Sequence, residues 1–296
     1  MTTVERGDVI AQGGSAGPGE GAFAAELAFA VEVAERAGRL LAERYERVER
    51  IDYKSARDVV TEVDHLSEEL IIGAIRATYP GDAILAEESG AHVGAAAAAG
   101  HGTAESGGAG RAAPDRTWVI DPVDGTINYA NGIPFFCVAM GLVVDGRPAV
   151  GVIRDPMRDD TFAAAAGGPA TLGGRPIVVS GKERLSDFVV SMALSGRAAT
   201  TRSRAVRRAV RITRQMGSAA LSLAYVANGR FDAMVQQGGL SPWDVAAAGL
   251  IAERAGAALT DMSDGPWFDL ARPPKTVGVL AAPPTHLPEL FRLISG

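Results

Sequence analysis

The stretch Trp118-Val119-Ile120-Asp121-Pro122-Val123-Asp124-Gly125-Thr126-Ile127-Asn128 decides how this chain is read. A short apolar strand over 118–120 runs into two carboxylates, a proline, a glycine and a hydroxyl. Proline after Asp121 biases that residue toward an extended backbone, and the turn that follows can bring both carboxylates and the Val123 carbonyl to one point. Such an oxygen-rich pocket suits hard cations like Mg²⁺, which take carboxylate and carbonyl oxygens and keep other ligand positions open. The same residues also read as an Asp-Pro turn followed by an Asp-Gly turn.

Working outward, other acids also fall at element boundaries. Glu87-Glu88 follows an apolar run, Ala83–Ala86, that reads as a strand, and Asp64 precedes a helix expected over 65–79, where it also reads as an ordinary helix N-terminal acid. Asp244 fits the N3 position of a capping box begun by Ser241, with Pro242 at N1; a carboxylate there is favoured by the helix dipole and can still point outward to a metal.

The remaining pattern is layered α and β. An amphipathic helix is expected over 22–48, strands over 137–144 and 149–153 joined by the turn Asp145-Gly146, and then a strand (188–192), two helices (203–215 and 218–227), a strand (232–236) and a helix (242–255). Gly167-Gly168 and Gly173-Gly174 read as hairpin turns. Residues 1–20 read as a disordered tail, and 91–114, almost wholly Ala, Gly and small polar residues, as a mobile insertion. The tail leaves an N-terminal half (21–183) carrying most of the acidic motifs and a C-terminal half (184–296) completing the site.

Bulk properties exclude several classes. A formal charge of −6 gives no field to attract a polyanion, so neither nucleic acid nor an acidic membrane is an expected partner. The most apolar N-terminal run, 23–41, is broken by Glu26, Glu32, Glu35, Arg36 and Arg39 and cannot span a bilayer. A lone cysteine, Cys137, forms no internal disulfide and no leader pattern precedes the fold, so a cytoplasmic location is expected. None of the four histidines forms a ligand set with another.

Taken together, Lys54-Ser55 with Asp58-Val59-Val60-Thr61-Glu62-Val63-Asp64, Glu87-Glu88-Ser89, Asp121 to Thr126, and Trp243-Asp244-Val245-Ala246-Ala247 resemble the lithium-sensitive, metal-dependent inositol monophosphatases, from about Phe23 to the C-terminus. The resemblance implies an αβαβα layered sandwich, shared with fructose-bisphosphatases, and a homodimer. It implies that Glu87, Asp121, Asp124, Asp244 and the Val123 carbonyl hold two or three catalytic Mg²⁺ ions, with Asp64 serving a further, weaker site. Gly125 and Thr126 would contact the phosphate of a small phosphorylated metabolite, and Glu87, Thr126 and Asp64 would serve catalysis by helping to orient and deprotonate water. Gly217-Ser218-Ala219 matches the segment lining the substrate's hydroxyl side, and Lys54 lies near the acids. Gln237 stands where inositol phosphatases carry a glutamate that holds ring hydroxyls, and Ala86 and Ile127 replace the usual Gly and Thr.

The expected function is hydrolysis of a polyol or sugar phosphate. Histidinol phosphate, fructose bisphosphate and a nucleotide phosphate are alternatives within the superfamily. Non-enzyme alternatives are an inactive metal-binding regulatory protein, against which the intact acidic set argues, and a calcium-dependent carbohydrate-binding module, against which the ordered α/β layering and Lys54 near the acids argue. The arginines at 197, 202, 204, 207, 208, 211 and 214 read as a solvated helix face, or, for Arg214 above all, as a reach toward a second anionic group.

Overall fold

In a computed structural model, residues 19, 21–47, 51–55, 58–92, 115–196 and 199–295 are described, the side chains of 53–55 and 58 excepted. The expected tail, apart from Gly19, and residues 93–114 of the expected insertion lie outside the described residues. Ala91 and His92 do not belong to an insertion; they pair with the strand before them.

Helix α1 (Ala24–Arg44) buries Ala30, Val33, Ala34, Ala37 and Leu41 along one stripe, and small residues there let it lie close to a sheet. It is followed by a hairpin, β1 (Ile51–Ser55) and β2 (Asp58–Thr61), and by α2 (Glu62–Thr78). Next come β3 (Ala83–Ala86), β4 (Gly90–His92), β5 (Arg116–Asp124), the single turn α3 (Thr126–Ala130), β6 (Cys137–Val144), β7 (Arg147–Asp155), β8 (Asp160–Ala165), β9 (Thr171–Leu172) and β10 (Arg175–Pro176). These strands form one sheet in the order β10-β9-β8-β7-β6-β5-β3-β4, with β3 and β5 parallel.

A second sheet holds β11 (Val189–Ala193), β12 (Ile212–Arg214), β13 (Ala233–Leu240), β14 (Ala258–Thr260) and β15 (Val277–Ala282), in the order β12-β11-β13-β15-β14. The helices of this part are α4 (Ala199–Ala209), α5 (Ala219–Ala227), α6 (Pro242–Arg254) and α7 (Leu287–Ser295). Helices α1 and α2 cover the outer face of the first sheet, α5 and α6 lie between the sheets, and α4 and α7 cover the second. That is the αβαβα sandwich. The two sheets fall on either side of residue 183.

Several boundaries move. The expected 22–48 helix ends at Arg44, because Tyr45 turns extended (ψ 135°). The 65–79 helix starts at Glu62, capped by Thr61, so Asp64 lies inside its first turn. The expected 203–215 helix stops at Ala209: Arg211 and Ile212 donate to the Phe188 carbonyl, and 212–214 become a parallel edge strand on β11. An arginine-rich run has good helix propensity, but pairing with the sheet overrides it. Strands β1, β2, β8, β14 and β15 and helix α7 had no expectation. Asp145-Gly146, with φ of 50° and 76°, and Gly173-Gly174, with 55° and 77°, make the left-handed turns that close two-residue hairpins.

Candidate active site

The two carboxylates of the opening stretch do not sit on a turn beyond a strand. Strand β5 itself continues through Asp124, and its register against β6 slips between Asp121 and Asp124. That irregularity, with Pro122 unable to donate, turns both acids the same way at the strand end. Asp121 Oδ1 accepts from the Val123 N–H at 3.0 Å, and the Pro122 carbonyl is taken by Ser67 Oγ of α2 at 3.1 Å.

Three helix N-termini meet Asp64, Asp244 and Asp124. Asp64 Oδ2 accepts from the Thr61 N–H (2.9 Å) and hydroxyl (2.6 Å), closing a capping box on α2. Asp244 Oδ2 accepts from the Ser241 N–H at 2.6 Å, the corresponding box on α6, with Pro242 in its first turn as expected. Asp124 meets the start of α5 across the fold: its Oδ2 accepts from Ser218 Oγ (2.5 Å) and the Ala220 N–H (2.7 Å), and its Oδ1 from the Ala219 N–H (3.3 Å). Each helix dipole favours the negative charge it meets.

Together these elements bring one carboxylate oxygen each of Asp121, Asp124 and Asp244 within 4.8 Å of one another. Burial first, then the charges of Glu87, Asp124 and Asp244, push the Asp121 carboxyl well above its ordinary range. Burial and the Asp124 charge do the same to Asp244, while for Asp124 burial outweighs the hydrogen bonds from Ser218 and α5. Carboxylates held this closely repel one another unless a cation sits among them, and an all-oxygen donor set suits a hard divalent ion.

The cluster opens on a cleft of about 470 Å³, large enough for a small metabolite. One wall comes from the first sheet and the turns that follow its strands: Glu87, Asp121 and Val123 to Ile127. The other comes from β11 and β13, including Ser191 and Gln236, and the starts of α5 and α6 join them. Glu87 is set by the turn after β3, which the buried Glu68 fixes by accepting from the Glu88 and Ser89 N–H groups, both at 2.9 Å. Glu68 and Ser67 were not singled out from the sequence. Only their tertiary hydrogen bonds identify them. Thr126 Oγ1 lies 2.9 Å from Asp64 Oδ1 and 3.0 Å from the Val123 carbonyl. Gly125 has φ 103°, and a Cβ there would stand 3.1 Å from the Phe135 carbonyl, so only glycine fits this strand-to-helix corner. Gly217, Ser218 and Ala219 line the cleft.

One expected residue cannot be placed and one is placed differently. The Lys54 side chain lies outside the described residues. Gln237 is absent from the described cleft lining: in the amide orientation that satisfies both partners, Nε2 donates to the Ser195 carbonyl (3.1 Å) and Oε1 accepts from Arg202 (3.0 Å). Its neighbour Gln236 faces the cleft instead. Gln237→Glu is therefore expected to pair with Arg202 and leave relative kcat/KM values among substrates within about threefold, since no substrate contact changes. A shift of tenfold or more toward inositol phosphate would return Gln237 to the substrate wall.

The fold and this site define a phosphomonoesterase, and comparison with known proteins agrees. The chain belongs to the inositol monophosphatase family, whose model matches residues 24–295. It is 34% identical over 269 residues to inositol monophosphatase 2 of Solanum lycopersicum, covering 88% of this chain and 94% of the relative. It is 36% identical over 249 residues to the Nus factor SuhB of Pasteurella multocida, covering 81% and 86%. Among solved structures, the extragenic suppressor protein SuhB of Bartonella henselae superposes with a TM-score of 0.80 at 30% identity, over 91% of this chain and 98% of that one. No helix among the described residues is long and apolar enough to cross a membrane.

Proposed function

We propose that the protein is a Mg²⁺-dependent phosphomonoesterase that hydrolyses a small polyol or sugar phosphate. The observation that carries this reading is the convergence of Asp121, Asp124 and Asp244 at the head of a metabolite-sized cleft. With Glu87 and the Val123 carbonyl, these residues would hold two or three cations. Bound Mg²⁺ supplies Lewis acidity: it neutralises phosphate charge, lowers the pKa of a water and stabilises the leaving oxygen.

The protein's own groups handle the proton. Thr126 Oγ1 has one hydrogen and two acceptors within reach, Asp64 and the Val123 carbonyl. When it donates to Asp64, its lone pairs are open to a water in the cleft, and a proton can pass through the hydroxyl toward the carboxylate. Both oxygens of Asp64 are engaged by Thr61 and Thr126, which favours this proton-handling role over that of a metal ligand. Glu87, on the same wall, would orient the water. The Gly125 corner lets backbone N–H groups approach the phosphate, while Gly217, Ser218 and Ala219 would meet the alcohol. The homodimer in this reading rests on the family resemblance, and the cytoplasmic location on the single cysteine.

The test is phosphate release from a panel that includes inositol 1-phosphate, histidinol phosphate, fructose bisphosphate and nucleotide phosphates. Activity is expected only with added Mg²⁺, with inhibition by Li⁺ and Ca²⁺ and loss in chelator. Full activity in excess EDTA would remove the metal mechanism.

A further inference from the structure

The cleft that gathers the carboxylates has one cationic side chain among its described lining residues, Lys275. It lies in the chain between β14 and β15, on the segment whose backbone pairs with Gly239, and lines the cleft together with Gln236, Glu87, Asp121 and residues 123–126. Its backbone is left-handed, with φ 64°. A residue bearing a Cβ adopts that conformation only when its surroundings impose it, and such strain collects at functional sites.

Two hydrogen bonds impose it here. The Lys275 N–H donates to Ser241 Oγ, and its carbonyl accepts from the Gly239 N–H, each at 3.1 Å. Ser241 is also the cap of α6, and its own N–H is held by Asp244. The lysine is thus tied through one serine to the helical turn that presents a metal-facing carboxylate. Of the five non-glycine residues with positive φ among the described residues, Lys275 is the one that lines the cleft.

The phosphate being cleaved belongs at the carboxylate end, where cations would balance it. The other polar lining of the second-sheet wall, Ser191 and Gln236, is neutral. We propose that Lys275 reads a second anionic group, a carboxylate or another phosphate, on the alcohol part of the substrate, so that doubly anionic phosphate esters are the preferred class. The inference rests on the phosphatase reading above and deepens it. An ammonium is a compact point charge suited to either anion, and a partly solvated one contributes discrimination of about tenfold rather than thousands.

The experiment measures Mg²⁺-supported kcat/KM for fructose 6-phosphate against fructose 1,6-bisphosphate, and for glucose 6-phosphate against 6-phosphogluconate. The proteins are the wild type, Lys275→Gly, Lys275→Met and Lys275→Arg. Glycine accepts the left-handed backbone without strain, so that variant removes the amine while keeping the rim in place. The ratio of doubly to singly anionic substrate should fall about tenfold in the Gly and Met variants, chiefly through KM, and be kept in Lys275→Arg. The pair in which it falls tells a second phosphate from a carboxylate. Unchanged ratios in both pairs, with phosphate release intact, overturn the role of Lys275 alone. A wild type that releases phosphate from none of the four, nor from the wider panel, overturns the phosphatase reading and this inference with it.

Discussion

Asp121→Asn and Asp244→Asn are each expected to lower kcat by about a thousandfold, equivalent to ~4 kcal/mol of transition-state stabilisation, while leaving the protein folded. An amide keeps the local bonds: Asn can still accept from the Val123 N–H at position 121 and from the Ser241 N–H at position 244, so the strand end and the helix cap survive. What it loses is the negative charge that a cation requires. The variants should therefore also lose metal-dependent stabilisation. At a hundred times its dissociation constant, Mg²⁺ should stabilise the wild type by about 2.7 kcal/mol, visible as a raised Tm, and each variant much less. Without metal, each variant should be at least as stable as the wild type, since three crowded carboxylates become two. A variant keeping more than a tenth of wild-type kcat, only ~1.4 kcal/mol, would not have lost a principal ligand.

Gly151→Ala is expected to cost about 3 kcal/mol, the upper end for overpacking a core. Gly141 and Gly151 are cross-strand partners on β6 and β7, and α6 lies directly over them. A Cβ at Gly151 would stand 2.4 Å from the Ala247 carbonyl oxygen and 3.0 Å from its Cα, both backbone atoms that cannot rotate away. At Gly141 the nearest atoms are 3.3 Å away, so Gly141→Ala should cost about 1 kcal/mol. Helix α6 carries Asp244 in its first turn, so lifting it from the sheet also moves one carboxylate of the acidic cluster. Gly151→Ala should thus reduce both the denaturant midpoint and kcat. A midpoint within error of wild type would mean that the helix and sheet separate freely, contrary to the close packing of Ala246 and Ala247.

The site was more legible than the fold. Asp121, Asp124 and Asp244 stand out in sequence because hard-cation chemistry needs carboxylates at element ends, and Pro122, Gly125 and Pro242 mark those ends. The capping box of Ser241 and Asp244 was readable because it is local, spanning three residues. The strands 83–86 and 137–144 were readable from their apolar runs. Harder to read were β8, where Ala163 and Ala164 give little strand signal, and β12, where arginines favour a helix until Phe188 offers a carbonyl to pair with.

By itself, then, the sequence marked the candidate groups for the chemistry, because residue type and short-range spacing set donor atoms, turns and caps. The tertiary structure alone decided which of them meet. Asp124 depends on Ser218, distant in the chain, for its position, Glu87 depends on Glu68, and Lys275 on Ser241. It also decided that Gln237 turns toward Arg202 while Gln236 faces the cleft. Adjacent residues of a strand point to opposite faces, and which face borders the cleft is fixed by register and packing between sheets, which no local spacing records.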